Sequence, residues 1–217
     1  MKKLLLSMVI AGAALTASAQ SPVKFGVKAG VTLPTWSISE DDEGSLKSDL
    51  SFYIGGLADI PVSDMFSVQA GLTLSGKGAK IDGKMEDEDG NNISLAIKQS
   101  LMYLEVPVNA VINIPAGDGK IFFGAGPYFG YALSGKSKVK ASLTFEGQTQ
   151  SESESEDIDF DSTYKRVDYG INALAGYQLG NGLNIHAGYG LGLANIVRSD
   201  EGEIKNRVFS VGLGFSF

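Results

Sequence analysis

From Val167 to Leu179 the odd-numbered positions read Val, Tyr, Ile, Ala, Ala, Tyr, Leu, while the even ones read Asp168, Gly170, Asn172, Leu174, Gly176 and Gln178. A period of two is the signature of a strand with two unlike faces. Leu183 to Ala194 repeats it, with Leu, Ile, Ala, Tyr, Leu and Leu against Asn184, His186, three glycines and Ala194. The last residues do so again, where Phe209, Val211, Leu213, Phe215 and Phe217 alternate with Ser and Gly. The pattern predicts eight strands: Lys24 to Ile38, Leu50 to Ile60, Phe66 to Lys80, Ile93 to Ile112, Ile121 to Ala141, Tyr164 to Leu179, Leu183 to Val197 and Arg207 to Phe217.

The connections alternate too. Pro61 to Met65, Asn113 to Lys120 and Gly180 to Gly182 are short and rich in turn residues, whereas Ser39 to Asp49, Asp82 to Asn92, Ser142 to Thr163 and Arg198 to Asn206 are long and polar. In an up-and-down antiparallel barrel successive connections fall on opposite ends. All the long loops then share one end, and both termini share the other. Short turns on one side and long loops on the other are the habit of outer-membrane barrels. A soluble lipocalin-like carrier would also show eight such strands. It would normally carry its charges outside and its bulky apolar groups inside. Here the bulky face is Leu, Ile, Val, Phe and Tyr, and the opposite face is Gly, Asn, Ser and Gln with a few charges, which favours lipid outside and a narrow, filled interior. Phe52, Tyr53, Phe66, Tyr103, Phe122, Phe123, Tyr177 and Phe217 lie near strand ends, where aromatic girdles form.

Composition sharpens this picture. Glycine supplies 28 of 217 residues, many inside apolar segments, where a helix would lose about 1 kcal/mol at each. With no cysteine there are no disulfides, thiolate zinc sites or cysteine nucleophiles, and one histidine cannot build a multi-histidine metal site. A net charge of -7 argues against nucleic acid as a partner. Met1 to Gln20 has the form of a secretory signal, with Lys2 and Lys3, an apolar run from Leu4 to Leu15, and Ala17-Ser18-Ala19 as the cleavage site. The expected organisation is a signal peptide over residues 1–19 and a barrel over residues 20–217. No later apolar stretch is long enough for a spanning helix, so a membrane-spanning structure would have to be a barrel.

The C-terminal octapeptide Ser210-Val211-Gly212-Leu213-Gly214-Phe215-Ser216-Phe217 resembles the assembly signal of outer-membrane barrels, with Gly212, Phe215 and Phe217 at its marker positions. Lys24-Phe25-Gly26-Val27-Lys28-Ala29-Gly30 resembles the opening strand of the small outer membrane beta-barrel domain family, whose relatives include PorT-like and OmpX-like eight-stranded barrels. Ile60-Pro61-Val62-Ser63-Asp64, Phe66 to Gln69 and Leu74 to Lys80 are similar to its first hairpin, and Tyr103-Leu104-Glu105-Val106-Pro107-Val108 to its most recognisable strand. The resemblance implies an outer-membrane location and, for most members, no established biochemical activity; with the loop alternation and the sparse residue inventory, the expectation is a Gram-negative outer-membrane barrel with both termini periplasmic, contact with the barrel assembly machinery, and no enzymatic activity or cofactor. No appended periplasmic domain is expected.

Candidate chemistry is sparse. His186, the sole histidine, has interior parity near the turn end and reads as a hydrogen-bonded lumen residue rather than a catalytic base. Lys28, Glu105 and Asp168 share interior parity on three strands, with Asp59 as a fourth; an ion network is the expected reading, a proton or ion path the alternative. The four long loops hold 20 of the chain's 25 acids. Ser151 to Asp157 reads as a solvated, mobile loop, and the segment from Asp87 to Asn92 lacks the sixth-position Gly and late Glu of a calcium-binding EF-hand, so no metal site is expected. Basic residues gather where strands meet these loops, among them Lys77, Lys98, Lys138, Arg166 and Arg198. Such a rim pairs either with lipopolysaccharide phosphates or with the acids above it. The functional expectation is a structural or surface-interaction barrel whose acidic loops meet an extracellular or envelope protein; the alternative is a small-solute channel or a transport or secretion accessory.

Overall fold

The computed structural model describes residues 22–38, 46–86, 92–145, 148–160, 162–198 and 202–217. The expected signal peptide, residues 87–91 of the calcium-like segment, and residues 39–45 and 199–201 of two expected loops lie outside the described residues. The strands are β1 (Lys24–Ile38), β2 (Leu46–Lys47), β3 (Ser51–Pro61), β4 (Phe66–Glu86), β5 (Asn92–Ala116), β6 (Gly119–Phe145), β7 (Gln148–Asp157), β8 (Val167–Gln178), β9 (Leu183–Gly192) and β10 (Ile204–Ser216).

Eight of them close a ring in the order β1, β3, β4, β5, β6, β8, β9, β10, every pairing antiparallel. The seam between β10 and β1 runs from Gly26 opposite Ser216 to Ile38 opposite Ile204, so no edge is left within the ring. The short turns after β3, β5 and β8 lie at one end with the start of β1 and the end of β10. The fold is the expected all-β, eight-stranded, up-and-down barrel.

Alternation sets the two surfaces. On β1, Phe25, Val27, Val31 and Leu33 are exposed on the outside while Thr32 and Trp36 are buried inside. Ile54, Leu72, Val106, Val108, Ile171, Ile185 and Leu213 continue the outer band around the ring. Near the turn end Phe25, Phe66, Phe123, Phe215 and Phe217 are exposed; toward the loop end stand Phe52, Phe129, Tyr131 and Tyr169. Tyr53, Tyr103 and Phe122, expected in the girdles, are instead buried inside. Each adjoins an outward residue in sequence, Phe52, Leu104 or Phe123, and strand parity excludes both neighbours from one face. Their rings need room. Gly30 and Gly212 are opposite one another on β1 and β10, and a β-carbon at either would collide with the Tyr53 ring.

Two boundary differences bear on function. β4, β5 and β6 run several residues beyond their expected ends, and the acidic Ser151–Asp157 run, expected as a mobile loop, is strand β7 paired along Lys136–Phe145. Its Ser/Glu alternation is a period-two pattern without apolar members, because both faces meet water, so hydrophobic periodicity does not register it. Conversely, residues 164–166 and 193–197, expected to belong to the strands that include β8 and β9, leave the ring and, with Phe160 of the expected loop, fold over the lumen.

Candidate functional site

The lumen is layered. At the loop end Trp36, Leu101, Tyr103, Ala132, Phe160, Tyr164 and Ile196 pack into a buried apolar plug. Two arginines fasten it: Arg166 Nη1 donates to the Ala132 carbonyl with its guanidinium 4.4 Å over the Phe160 ring, and Arg198 Nε donates to the Phe160 carbonyl at 2.9 Å. Arg166 and Arg198, expected on a lipopolysaccharide-facing rim, therefore hold the plug. The chain bends inward at both places, which carries their side chains from the strand border to the barrel mouth.

Beneath the plug lies an ion cluster. Lys77 Nζ is 2.5 Å from Glu105 Oε1 and 2.7 Å from Asp168 Oδ2, and it sits 4.3 Å over the Tyr128 ring and 5.1 Å over that of Tyr103. Asp168 Oδ2 also accepts from Asn206 Nδ2 at 2.9 Å and Tyr128 Oη at 3.2 Å, and Asn206 Oδ1 accepts from Trp36 Nε1 at 3.1 Å. Asp168 is 0% and Lys77 4% exposed, so each charge depends on these partners for the solvation it has lost. Lys77 was expected on the outer rim and stands inside. The reason is parity: Thr73, Ser75, Lys77 and Ala79 are the buried inward positions of β4, and β4 continues to Glu86, so Lys77 is a mid-strand residue. The signal was present in the Thr73-x-Ser75-x-Lys77 spacing.

Below the cluster a cavity of about 140 Å³ runs toward the turn end. Lys28, Tyr53, Asp59, Asn109, Lys120 and His186 contribute to its wall, and none of the plug residues does. His186 Nε2 lies 2.6 Å from Tyr53 Oη and its Nδ1 2.8 Å from Asn184 Oδ1; the Lys28 ammonium is 5.9 Å from the Tyr53 ring centre. The four lumen residues expected from parity thus divide between two layers: Glu105 and Asp168 with Lys77, Lys28 and His186 with Tyr53. Among the described residues no group of three or more His, Asp or Glu side chains is placed to hold a metal ion.

Outside, β4, β5, β6 and β7 stand beyond the ring as a four-stranded ribbon with β2 on its edge. A bulge opposite Met102 and Tyr103, with Tyr103 facing Ala132 but Met102 facing Ser134, inserts one residue into β6. Inward parity on β6 thereby shifts from Ala132 to Gly135, and Lys136, Lys138 and Lys140 turn outward with Lys98. The opposite face pairs Ile81 with Ile97, Ile97 with Val139, Leu95 with Ala141 and Ile93 with Leu143. Ile93, Leu95, Val139 and Leu143 are exposed there, bordered on β7 by Glu152, Glu154 and Glu156. On the lysine side Asp82 pairs with Lys80 at 2.9 Å and Lys47 at 3.1 Å, and the hydrogen bond from Lys80, then that from Lys47, holds its carboxyl below the ordinary carboxylate value.

The residues of the apparent assembly signal have distinct structural places. Gly212 makes room for Tyr53, Phe215 is an outward aromatic, and Phe217, 70% exposed, ties its backbone N–H to the Phe25 carbonyl at 2.9 Å.

A family model described as outer membrane protein beta-barrel domain matches residues 18–198. Among solved structures the chain is similar to Ail, the attachment invasion locus protein of Yersinia pestis, at 16% identity and a TM-score of 0.42 over 91% of this chain and 100% of that one. It is similar to Neisserial surface protein A at 13% identity and 0.42, over 91% and 100%, and to OprG from Pseudomonas aeruginosa at 12% and 0.44, over 92% and 98%. No curated protein sequence matches.

Proposed function

The chain belongs to the outer membrane protein beta-barrel domain family, and from that premise we propose a non-enzymatic surface-interaction barrel that docks an envelope or extracellular protein on the inner face of its ribbon. The observation that carries this reading is the strip of Ile93, Leu95, Val139 and Leu143, each at least 38% exposed on strands that have already left the hydrocarbon zone. Inside a bilayer, outward apolar residues are explained by lipid. Above it, an apolar strip rimmed by carboxylates marks a surface that a partner covers. The three glutamates of β7 add selectivity for a partner with basic groups around an apolar centre.

The long connections face outward from the cell, and both termini are periplasmic. Phe215 and Phe217 present outward aromatics to the barrel assembly machinery. A channel is disfavoured by the apolar plug and by the hydrogen-bonded ion cluster beneath it, which together occupy the lumen from the loop end inward. His186 bonds Tyr53 and Asn184, neither of them a carboxylate that would raise its basicity, which supports a structural role.

The test is site-directed photocrosslinking on intact cells. A photoreactive residue at Leu95 or Val139 is expected to give a discrete protein adduct, while one at Lys138 on the other face does not. Equal adducts from both faces, or none from Leu95 and Val139, would contradict the reading.

A further inference from the structure

The strand register assembles a row of lysines that sequence spacing conceals. Lys47 on β2 is opposite Lys80 on β4, Lys80 is opposite Lys98 on β5, and Lys98 is opposite Lys138 on β6. Directly opposed residues of an antiparallel sheet share a face, so four ammonium groups stand side by side on the outward face, with Lys136 and Lys140 flanking the last. At about 4.8 Å between strands the row is roughly 14 Å long. Opposed like charges destabilise a sheet. Asp82 and Asp49 offset part of that cost through Lys47, Lys80 and Lys98, but among the described residues no carboxylate pairs with Lys136, Lys138 or Lys140.

The glutamates of β7 do not supply the missing counter-charge. Lys138 and Lys140 are opposite Ser155 and Ser153, while Glu152, Glu154 and Glu156 are opposite Ala141, Val139 and Ser137 on the other face; only Lys136 has an acid opposite, Asp157. A hairpin whose lysines served to neutralise its glutamates would have the register one residue away. Instead the β6 bulge turns the lysines toward the side occupied by lipid lower down and leaves the glutamates on the other.

On β6 the last outward apolar residues are Tyr131 and Leu133, both exposed. Lys136 is three residues farther along, roughly 10 Å of strand and about 7 Å along the membrane normal at barrel tilt. The polar layer of a bilayer extends roughly 5–8 Å beyond the hydrocarbon on each side, and lysine stems reach down into it. We infer that the Lys47–Lys80–Lys98–Lys138 row, with Lys136 and Lys140, is a binding site for the phosphate groups of an outer-leaflet glycolipid. This goes beyond the protein-docking reading, uses the opposite face of the ribbon and does not depend on it.

The test uses the folded full-length barrel in nanodiscs containing phosphorylated outer-leaflet glycolipid or the same lipid after enzymatic dephosphorylation. Glycolipid retained on the protein after transfer to detergent is counted by native mass spectrometry. Wild type is expected to retain the phosphorylated form and not the dephosphorylated one, with millimolar inorganic phosphate leaving retention largely intact. The double variant Lys98→Gln/Lys138→Gln is expected to lose retention about tenfold or more, since each charge-assisted hydrogen bond contributes that order of affinity. Lys98→Arg/Lys138→Arg, which keeps the charge, should retain it. Lys24→Gln/Lys205→Gln, with the same net-charge change elsewhere, should behave as wild type. Equal retention of the dephosphorylated lipid, equal loss in the two glutamine doubles, or complete displacement by inorganic phosphate would each overturn the assignment. Heat-modifiable migration of every variant separates loss of lipid from loss of folding.

Discussion

Asp168 accepts hydrogen bonds from Lys77, Tyr128 and Asn206 on a single oxygen and is fully buried, so it is the residue on which the upper lumen converges. Removing Lys77 would leave the buried Asp168 without its cation and beside the half-buried Glu105. Lys77→Met should therefore cost about 3–5 kcal/mol in the urea unfolding of the refolded barrel, even though the substituted stem is apolar and of similar length. A near-neutral result would mean that water enters the cluster. The interior acids were legible in the sequence from parity alone; the parity of their cation was there too, in Thr73-x-Ser75-x-Lys77, but its nearness to the expected strand end assigned it to the rim. Lys77 stands three residues before Lys80, where the hydrophobic alternation fades, and its strand continues through Ile81 and Asp82 without a clear apolar face. Residue-scale parity makes a second prediction. Ile171, 48% exposed, faces outward and Asn172 lines the cavity, so Ile171→Arg should lose roughly 2–4 kcal/mol in lipid vesicles and much less in micelles. Asn172→Arg should show little dependence on lipid. Matching responses would place Ile171 away from lipid.

Among the elements, β7 separates what periodicity reveals from what it conceals. All ten of its residues are exposed, and it is held by the β6 ladder rather than by burial. Nothing apolar marks it, so the sequence reads as a loop. The β6 bulge is equally silent: Leu133 and Ser134 look like a continued alternation, and only the shifted partners of Tyr103 and Met102 show that Lys136, Lys138 and Lys140 have changed face. By contrast the seam strands β1 and β10, whose two faces meet lipid and a packed lumen, were readable to within a few residues. The absence of cysteine from the chain allows a clean test of which end faces outward. Ser155→Cys on β7 should react with a membrane-impermeant maleimide on intact cells, whereas Asn181→Cys in the turn between β8 and β9 should react only after the outer membrane is permeabilised. The reverse pattern would invert the barrel.

At the scale of the whole molecule the chain divides by height. Turn-end aromatics, a lipid-facing band and loop-end aromatics encircle a lumen that is polar below, ionic in the middle and apolar at the mouth; above it rises a ribbon with lysines on one face and an apolar, acid-edged strip on the other. The barrel was legible because its lipid and lumen faces impose opposite compositions on alternate residues. The plug was not, because Phe160, Tyr164 and Ile196 come from segments whose inward bend depends on partners distant in sequence, such as Trp36 and Leu101. In the proposed reading, a closed mouth leaves the ribbon, rather than the lumen, as the working surface. Single-channel recording of the refolded wild-type barrel in planar bilayers tests this most directly. The account predicts a silent membrane at voltages the bilayer withstands, and stable, reproducible conductance steps from the wild type would contradict it.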